Sequence, residues 1–184
     1  MTRRGRWVAG VGVLLLAQLA AFGVWQRVDR ERKTAGLIVA AEPRSEPGHD
    51  LVIERPDGAV HPMAARSGGF QLVHFWATWC PPCRKEMPTL LELARRERER
   101  LDIWIITTDR DWKPVRAFFR GKIPANVVRD VSGGHRAYGV DDLPDSYLLD
   151  PSGRVVARFA GGQHWSSAAM RKTLDRLMLR EPGS

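Results

Sequence analysis

The only two cysteines of this 184-residue chain are Cys80 and Cys83, in the run Trp79-Cys80-Pro81-Pro82-Cys83. They sit where a buried-strand pattern, Phe70 to Trp76, gives way to an amphipathic helix pattern from Arg84 onward. A thiol at a helix N-terminus faces backbone N–H groups without partners and the positive end of the helix dipole, and both stabilise its thiolate. With Cys80 in that place, Cys83 lies one turn inside the helix, close enough to close a disulfide. Pro81 and Pro82 remove two donors from the first turn, so the Cys83 N–H is the nearest donor left for the Cys80 sulfur. The spacing points to a redox dithiol, with Cys80 as nucleophile and Cys83 as the buried resolving thiol.

Other uses of two cysteines fit less well. A zinc site needs four ligands, there is no second cysteine pair, and His49, His61, His74, His135 and His164 have no ligand spacing. No metal or other cofactor is expected. A structural disulfide across so short a loop would constrain the unfolded chain little. A peroxidase would place a threonine three residues before its reactive cysteine, where this chain has Ala77.

The elements that must hold the pair follow from periodicity and turn signals. Leu51 to Glu54 reads as an edge strand, Pro56-Asp57-Gly58 as a turn, and Ala59-Val60 as the returning partner. After strand 70–76 comes a helix over 81–97 with Met87, Leu90, Leu91 and Ala94 on one face and Pro88 inside it. A buried strand at 101–107, a short helix at 114–119, a strand at 125–130 and a helical turn at 133–138 follow. A hairpin of strands 146–149 and 155–159 turns at Asp150-Pro151-Ser152-Gly153, and a helix at 165–179 closes the chain. This is an α/β alternation without internal repeats.

The N-terminal fifty residues differ in kind. Residues 1–6 form a short basic tail, and 7–25 form an apolar run of nineteen residues whose only polar side chain is Gln18. As a helix this run would span about 28 Å, close to a bilayer's hydrocarbon core of about 30 Å, with Trp7 and Trp25 at the interfaces. A cleaved signal peptide competes with this reading, but its apolar core would be shorter and Ala21-Phe22-Gly23 is a mediocre cleavage site. An uncleaved anchor into the lipid bilayer is expected. Residues 26–50 read as a linker and 51–182 as the globular domain. The tail belongs on the cytoplasmic side, which puts the domain outside an inner (cytoplasmic) membrane, in the periplasm, where dithiol chemistry has a use.

A net charge of +8 and a pI near 10.3 raise the question of nucleic acid. Three of those charges are Arg3, Arg4 and Arg6, and the run 95–100 has mixed sign and ends a helix. Without a basic motif interleaved with aromatics, no nucleic-acid partner is expected. A monomer accounts for the chain.

The segment 75–88, Phe-Trp-Ala-Thr-Trp-Cys-Pro-Pro-Cys-Arg-Lys-Glu-Met-Pro, resembles the active-site signature of the membrane-tethered, thioredoxin-like thiol:disulfide oxidoreductases of the TlpA/ResA type, which include cytochrome c biogenesis proteins. A second block, Tyr138 to Val155, is similar to that family's Gly-Val loop, proline in cis, strand ending in Asp and Gly-containing turn. The resemblance covers about residues 50 to 180. It implies a thioredoxin-like fold, a central mixed sheet flanked by helices, with an N-terminal hairpin extension and a transmembrane helix before it.

It also implies roles for particular residues. Pro144 is expected in cis, and Leu143 before it would offer backbone groups to an extended substrate segment. Trp79, Pro81 and Pro82 would wall the substrate site. Asp145 stands where the family has a small hydroxyl residue, and an acid close to the dithiol would raise the Cys80 pKa or bias partner choice. Glu86 matches the family's active-site glutamate, which would shuttle a proton; a solvent-facing first-turn glutamate is the plainer alternative. His74 stands six residues before Cys80, where thioredoxin has a buried, proton-handling Asp. It is either a proton carrier or a hydrogen-bonded core histidine. The implied partners are protein thiol or disulfide substrates and a membrane electron-donor protein. The implied activity is reduction of protein disulfides; a thiol oxidase or isomerase, or a redox-sensing assembly factor without turnover, are the other readings.

Overall fold

Seven-residue apolar runs at Phe70–Trp76 (β4) and Leu101–Thr107 (β5) pair in parallel at the centre of the sheet, where both faces of a strand are covered and apolar residues occupy both. The computed structural model describes residues 51–63 and 69–179, together with Gln18 and the pair Leu37–Ile38. The chain divides into residues 1–36 and residues 37–184, and the second unit carries the sheet. The expected tail 1–6, the anchor 7–25 apart from Gln18, and most of the linker 26–50 lie outside the described residues. Among the described residues no helix is long and apolar enough to cross a membrane.

Around the central pair stand β1 (Leu37–Ile38), β2 (Val52–Glu54), β3 (Val60–Pro62), β6 (Val127–Asp130), β7 (Asp145–Leu149) and β8 (Val155–Ala160). The described strands form one mixed sheet in the order β1-β8-β7-β4-β5-β6-β2-β3. Only β4-β5 and β5-β6 run in parallel. The helices with described bounds are α1 (Pro81–Arg96), α2 (Trp112–Phe118) and α3 (Ala168–Met178), with a 3-10 turn at Gly134–Arg136.

Several boundaries differ from the sequence reading, each for a local reason. Leu37–Ile38, inside the expected linker, pairs with Phe159 and Arg158 of β8, and a two-residue strand has no periodicity to read. The N-terminal hairpin does form, but its first strand β2 lies between β6 and β3, so β3 is the outer strand. α2 starts two residues early because Asp111 caps it, its carboxylate accepting from the Lys113 N–H at 2.7 Å. Pro114 then falls in the first turn, where a missing N–H costs nothing. α3 starts three residues late because the Ser167 hydroxyl accepts from the Met170 N–H at 3.1 Å, which leaves Trp165 in the preceding loop.

Strand alternation sorts the interior into two layers. Leu72 and Trp76 of β4, Leu148 of β7, and Ala157 and Phe159 of β8 pack with residues of all three helices. On the opposite face Val73, Phe75, Tyr147 and Leu149 pack with Tyr138 and Val140, the segment that follows the 3-10 turn. His74 shares the helix side with Leu72 and Trp76, and Ser146 shares it with Leu148. Asp145, one residue earlier in β7, therefore points to the other face.

There Asp145 is 1% exposed and meets Arg158, whose Nη2 lies 2.7 Å from Oδ2 and whose Nε is 3.1 Å from both oxygens. The Tyr147 hydroxyl donates to the same carboxylate at 2.9 Å, and the Arg158 guanidinium lies over the Tyr147 ring. Removing one member of a buried pair strands the other charge. Because Arg158 is itself part-exposed, water can reach its place, and Arg158→Met is expected to cost about 2 kcal/mol. A urea denaturation midpoint equal to that of the parent protein would contradict this.

Candidate active site

Cys80 is the N-cap of α1, extended at φ −90° and ψ 108°, and its sulfur accepts from the Cys83 N–H at 3.2 Å. Pro81 and Pro82 occupy the first two helical positions. The donor arrangement expected from sequence is thus present, and the two sulfurs are joined as a disulfide with Cα atoms 5.3 Å apart. Cys83 is fully buried, while Cys80 keeps a sliver of exposed surface. Trp79 is 68% exposed and Pro81 and Pro82 are exposed beside it, so the approach to Cys80 is a protruding, largely apolar rim.

The loop before the dithiol is held from the end of β5. Asp109 accepts from the Thr78 N–H at 2.9 Å, the Thr78 hydroxyl at 2.8 Å and the Thr107 hydroxyl at 2.6 Å. The Thr108 N–H donates to the Trp76 carbonyl at 2.9 Å. Asp109 was not legible in the sequence, because an aspartate shortly after a strand reads as turn chemistry.

Glu86 lies one turn after Cys83, and it does not face solvent: it is 4% exposed. Its Oε2 accepts from the Gln163 N–H at 2.6 Å and from the Trp165 indole N–H at 3.0 Å. Its Oε1 lies 3.6 Å from His74 Nε2. Burial pushes the Glu86 carboxyl up to about 7, against the two donors that favour the carboxylate. His74 is fully buried, and burial pulls its imidazole down to about 3, so it is neutral near pH 7. Its Nδ1 is 2.8 Å from the Ser146 hydroxyl, and its ring meets Trp165 edge-on at 6.1 Å. Between these two groups, Glu86 is the one that changes charge near neutrality.

The Leu143–Pro144 peptide is cis. Pro144 is tied to the dithiol region through residues 161–163. The Gly161 N–H donates to the Pro144 carbonyl at 2.9 Å, a Cβ on Gly162 would meet the Pro82 ring at 3.6 Å, and the Gln163 N–H reaches Glu86. Gly161 has φ +75°, the left-handed region where a side chain would be strained. Leu143 is partly buried against both layers of the core.

The fold therefore gathers Cys80, Cys83, Glu86 and His74 under one helix N-terminus and joins Pro144 to them through one loop. Asp145 is left out of this group, on the far face of the sheet and neutralised by Arg158. Gln163, Trp165 and Ser146 are additional site residues that sequence reasoning did not assign. Gln163 and Trp165 lie more than seventy residues from Glu86, beyond any local pattern. Among the described residues no group of histidine, cysteine or carboxylate side chains could hold a metal ion.

The Redoxin family model matches residues 49–177. The chain is 27% identical over 154 residues to the thioredoxin-like protein YneN of Bacillus subtilis, covering 82% of this chain and 86% of that one. It is 30% identical over 155 residues to the thiol-disulfide oxidoreductase ResA of Geobacillus thermodenitrificans, covering 81% and 84%. The chain spans about half the length of some other curated relatives it matches. Among solved structures, a thiol:disulfide interchange protein DsbE from Chlorobium tepidum superposes with a TM-score of 0.59 at 23% identity, over 72% of this chain and 99% of that one, a likeness of fold. The matched span holds the dithiol, the cis-proline and the buried glutamate, and the chain belongs to the redoxin family, among the thiol-disulfide oxidoreductases of the ResA, DsbE and TlpA type.

Proposed function

We propose that this protein is a membrane-anchored, extracytoplasmic reductase of protein disulfides that works through Cys80 and Cys83. The observation that carries the reading is the dithiol at the N-terminus of α1 with a buried carboxyl, Glu86, one turn behind it. In the reduced form the Cys80 thiolate attacks one sulfur of a substrate disulfide, forming a mixed disulfide and releasing the first substrate thiolate. The Glu86 carboxylate accepts the Cys83 thiol proton. The Cys83 thiolate then attacks Cys80 Sγ, releasing the second substrate thiolate and closing the Cys80–Cys83 disulfide. Two electrons pass to the substrate, and a membrane electron-donor protein returns two to the dithiol.

An exposed Trp79, with Pro81 and Pro82, supplies an apolar surface for an extended substrate segment. Leu143, before the cis-proline, supplies backbone groups that pair with it. The apolar run 7–25 supplies the anchor, which keeps the domain at the membrane beside its donor and places it in the periplasm. Apocytochrome c cysteines, held reduced for haem attachment, are a substrate of the right chemistry.

The test is the steady-state redox form of Cys80 and Cys83 in intact cells, trapped by acid quenching and alkylation. A mostly reduced pair is expected, recharged by a membrane donor. A mostly oxidised pair would reverse the flow and make the protein a thiol oxidase or a redox sensor. A pair that reacts once with a protein disulfide and is not recharged would make it a redox-sensing assembly factor.

A further inference from the structure

We propose that His74 is a tautomeric adaptor that lets Glu86 gain and lose a proton inside the fold, with the Ser146 hydroxyl exchanging donor and acceptor roles on the ring's far side. This rests on the reading of Glu86 as proton acceptor for Cys83.

The argument begins with two buried atoms. His74 Nε2 and Glu86 Oε1 face each other at 3.6 Å, and neither has a hydrogen-bond partner. A buried polar atom left so loses its hydration without replacement, so a small approach that joins the two is favourable. The other carboxylate oxygen, Oε2, is occupied by the Gln163 N–H and the Trp165 indole N–H. Both are donors only and cannot accept a proton from a carboxylic acid. A proton gained by Glu86 is therefore accommodated at Oε1, against His74.

His74 satisfies both states without becoming charged. When Glu86 is a carboxylate, Nε2 carries the ring proton and donates to Oε1, while Nδ1 accepts from the Ser146 hydroxyl. When Glu86 is protonated, Oε1–H donates to Nε2, and Nδ1 carries the ring proton and donates to Ser146 Oγ. One proton moves from Cys83 to Glu86, and the imidazole's own proton moves from Nε2 to Nδ1. A hydroxyl can fill either role at 2.8 Å, which a one-way donor cannot.

Among the described residues, Glu86 is the charged group that faces His74. From α1 the group facing His74 is Glu86, with Cys83 one turn before it. From β7 it is Ser146, and from the segment after β8 it is the Trp165 ring. Asp145 and Arg158 pair with each other on the opposite face of the sheet. Burial holding the imidazole neutral and lifting Glu86 toward neutrality agrees with this division of labour.

The full-length oxidised protein, labelled with 15N-histidine and 13C-glutamate, is to be titrated by NMR from about pH 5 to 9. The His74 ring is expected to stay neutral while its proton moves from Nδ1 to Nε2, with the same midpoint as the Glu86 carboxyl. A single tautomer throughout, or an imidazolium in this range, would overturn the proposal. Ser146→Ala strands Nδ1; a buried donor tolerates that worse than an acceptor, so the Glu86 midpoint falls by about half a pH unit or more. Ser146→Thr restores it, and an unshifted midpoint in Ser146→Ala counts against the adaptor.

Glu86→Gln separates the two ideas. If the pH dependence near neutrality of the resolving step, the attack of Cys83 on the mixed disulfide, survives that change, Glu86 is not the proton acceptor, even where the tautomer exchange is seen. If that dependence vanishes while wild-type His74 keeps one tautomer, the adaptor alone is refuted.

Discussion

Cys80→Ser is expected to lower the rate of disulfide exchange by on the order of 10³-fold or more, while Cys83→Ser accumulates covalent complexes with protein substrates. The difference follows from position. The Cys80 sulfur caps α1 and receives the first available N–H, so its thiolate is stabilised and it meets the substrate first. Cys83 is buried one turn deeper and can act only on a disulfide that already includes Cys80. Without Cys83 the mixed disulfide has no resolving thiol and persists. Non-reducing electrophoresis after mixing with a disulfide-containing protein reads both results. Trapped adducts in Cys80→Ser and none in Cys83→Ser would exchange the two roles.

The second large effect is a pair of opposed pH dependences hidden in the stability of the parent protein. Glu86 has its folded carboxyl raised from 4.5 to about 7, so between those values the folded state binds the extra proton. Its contribution falls as pH rises through that window. His74 has its folded imidazole lowered from 6.5 to about 3, so between those values the unfolded state binds the extra proton. Its contribution is fully present above 6.5 and is lost as pH falls toward 3.

From pH 4.5 to 6.5 the two slopes cancel. Glu86→Gln leaves only the histidine slope, and stability should rise by about 2 kcal/mol from pH 5 to 6.5. His74→Asn leaves only the glutamate slope, and stability should fall by about the same amount. Asp130 and Asp150 have carboxyls held below their usual values by hydrogen bonds from neighbouring N–H and side-chain donors, and they act at lower pH. Urea denaturation of the oxidised protein at several pH values checks this. Parallel profiles for all three proteins would show that neither group is perturbed by burial as described.

The legibility of the chain divides along physical lines. The β4-α1 unit, β5 and the β7-β8 hairpin could be read because strand period, helix period, cysteine spacing and turn chemistry act over a few residues, whereas the cis-proline came from the family resemblance of Tyr138 to Val155. The N-cap geometry of Cys80 was likewise implied by Pro81, Pro82 and the strand before them. What the chain could not disclose is what its parts become to one another. Glu86 read equally well as a solvent-facing first-turn residue, because nothing near it tells that Gln163 and Trp165 will close over it. Asp145 read as an acid near the dithiol, because nearness in sequence says nothing about which face of β7 it takes. Arg158, which stands opposite Tyr147 on β8 and reaches diagonally to the Asp145 carboxylate, decides that matter.

His74 is the clearest case. Its position named a place in the interior, but its protonation state depends on complete burial, on Ser146 to one side and on Glu86 to the other. By itself, then, the sequence determined the redox pair, the elements that carry it and the family. Tertiary structure alone decided which ionisable groups are buried and against what, because desolvation and long-range hydrogen bonds exist only once the sheet, α1 and the 161–165 loop have packed together.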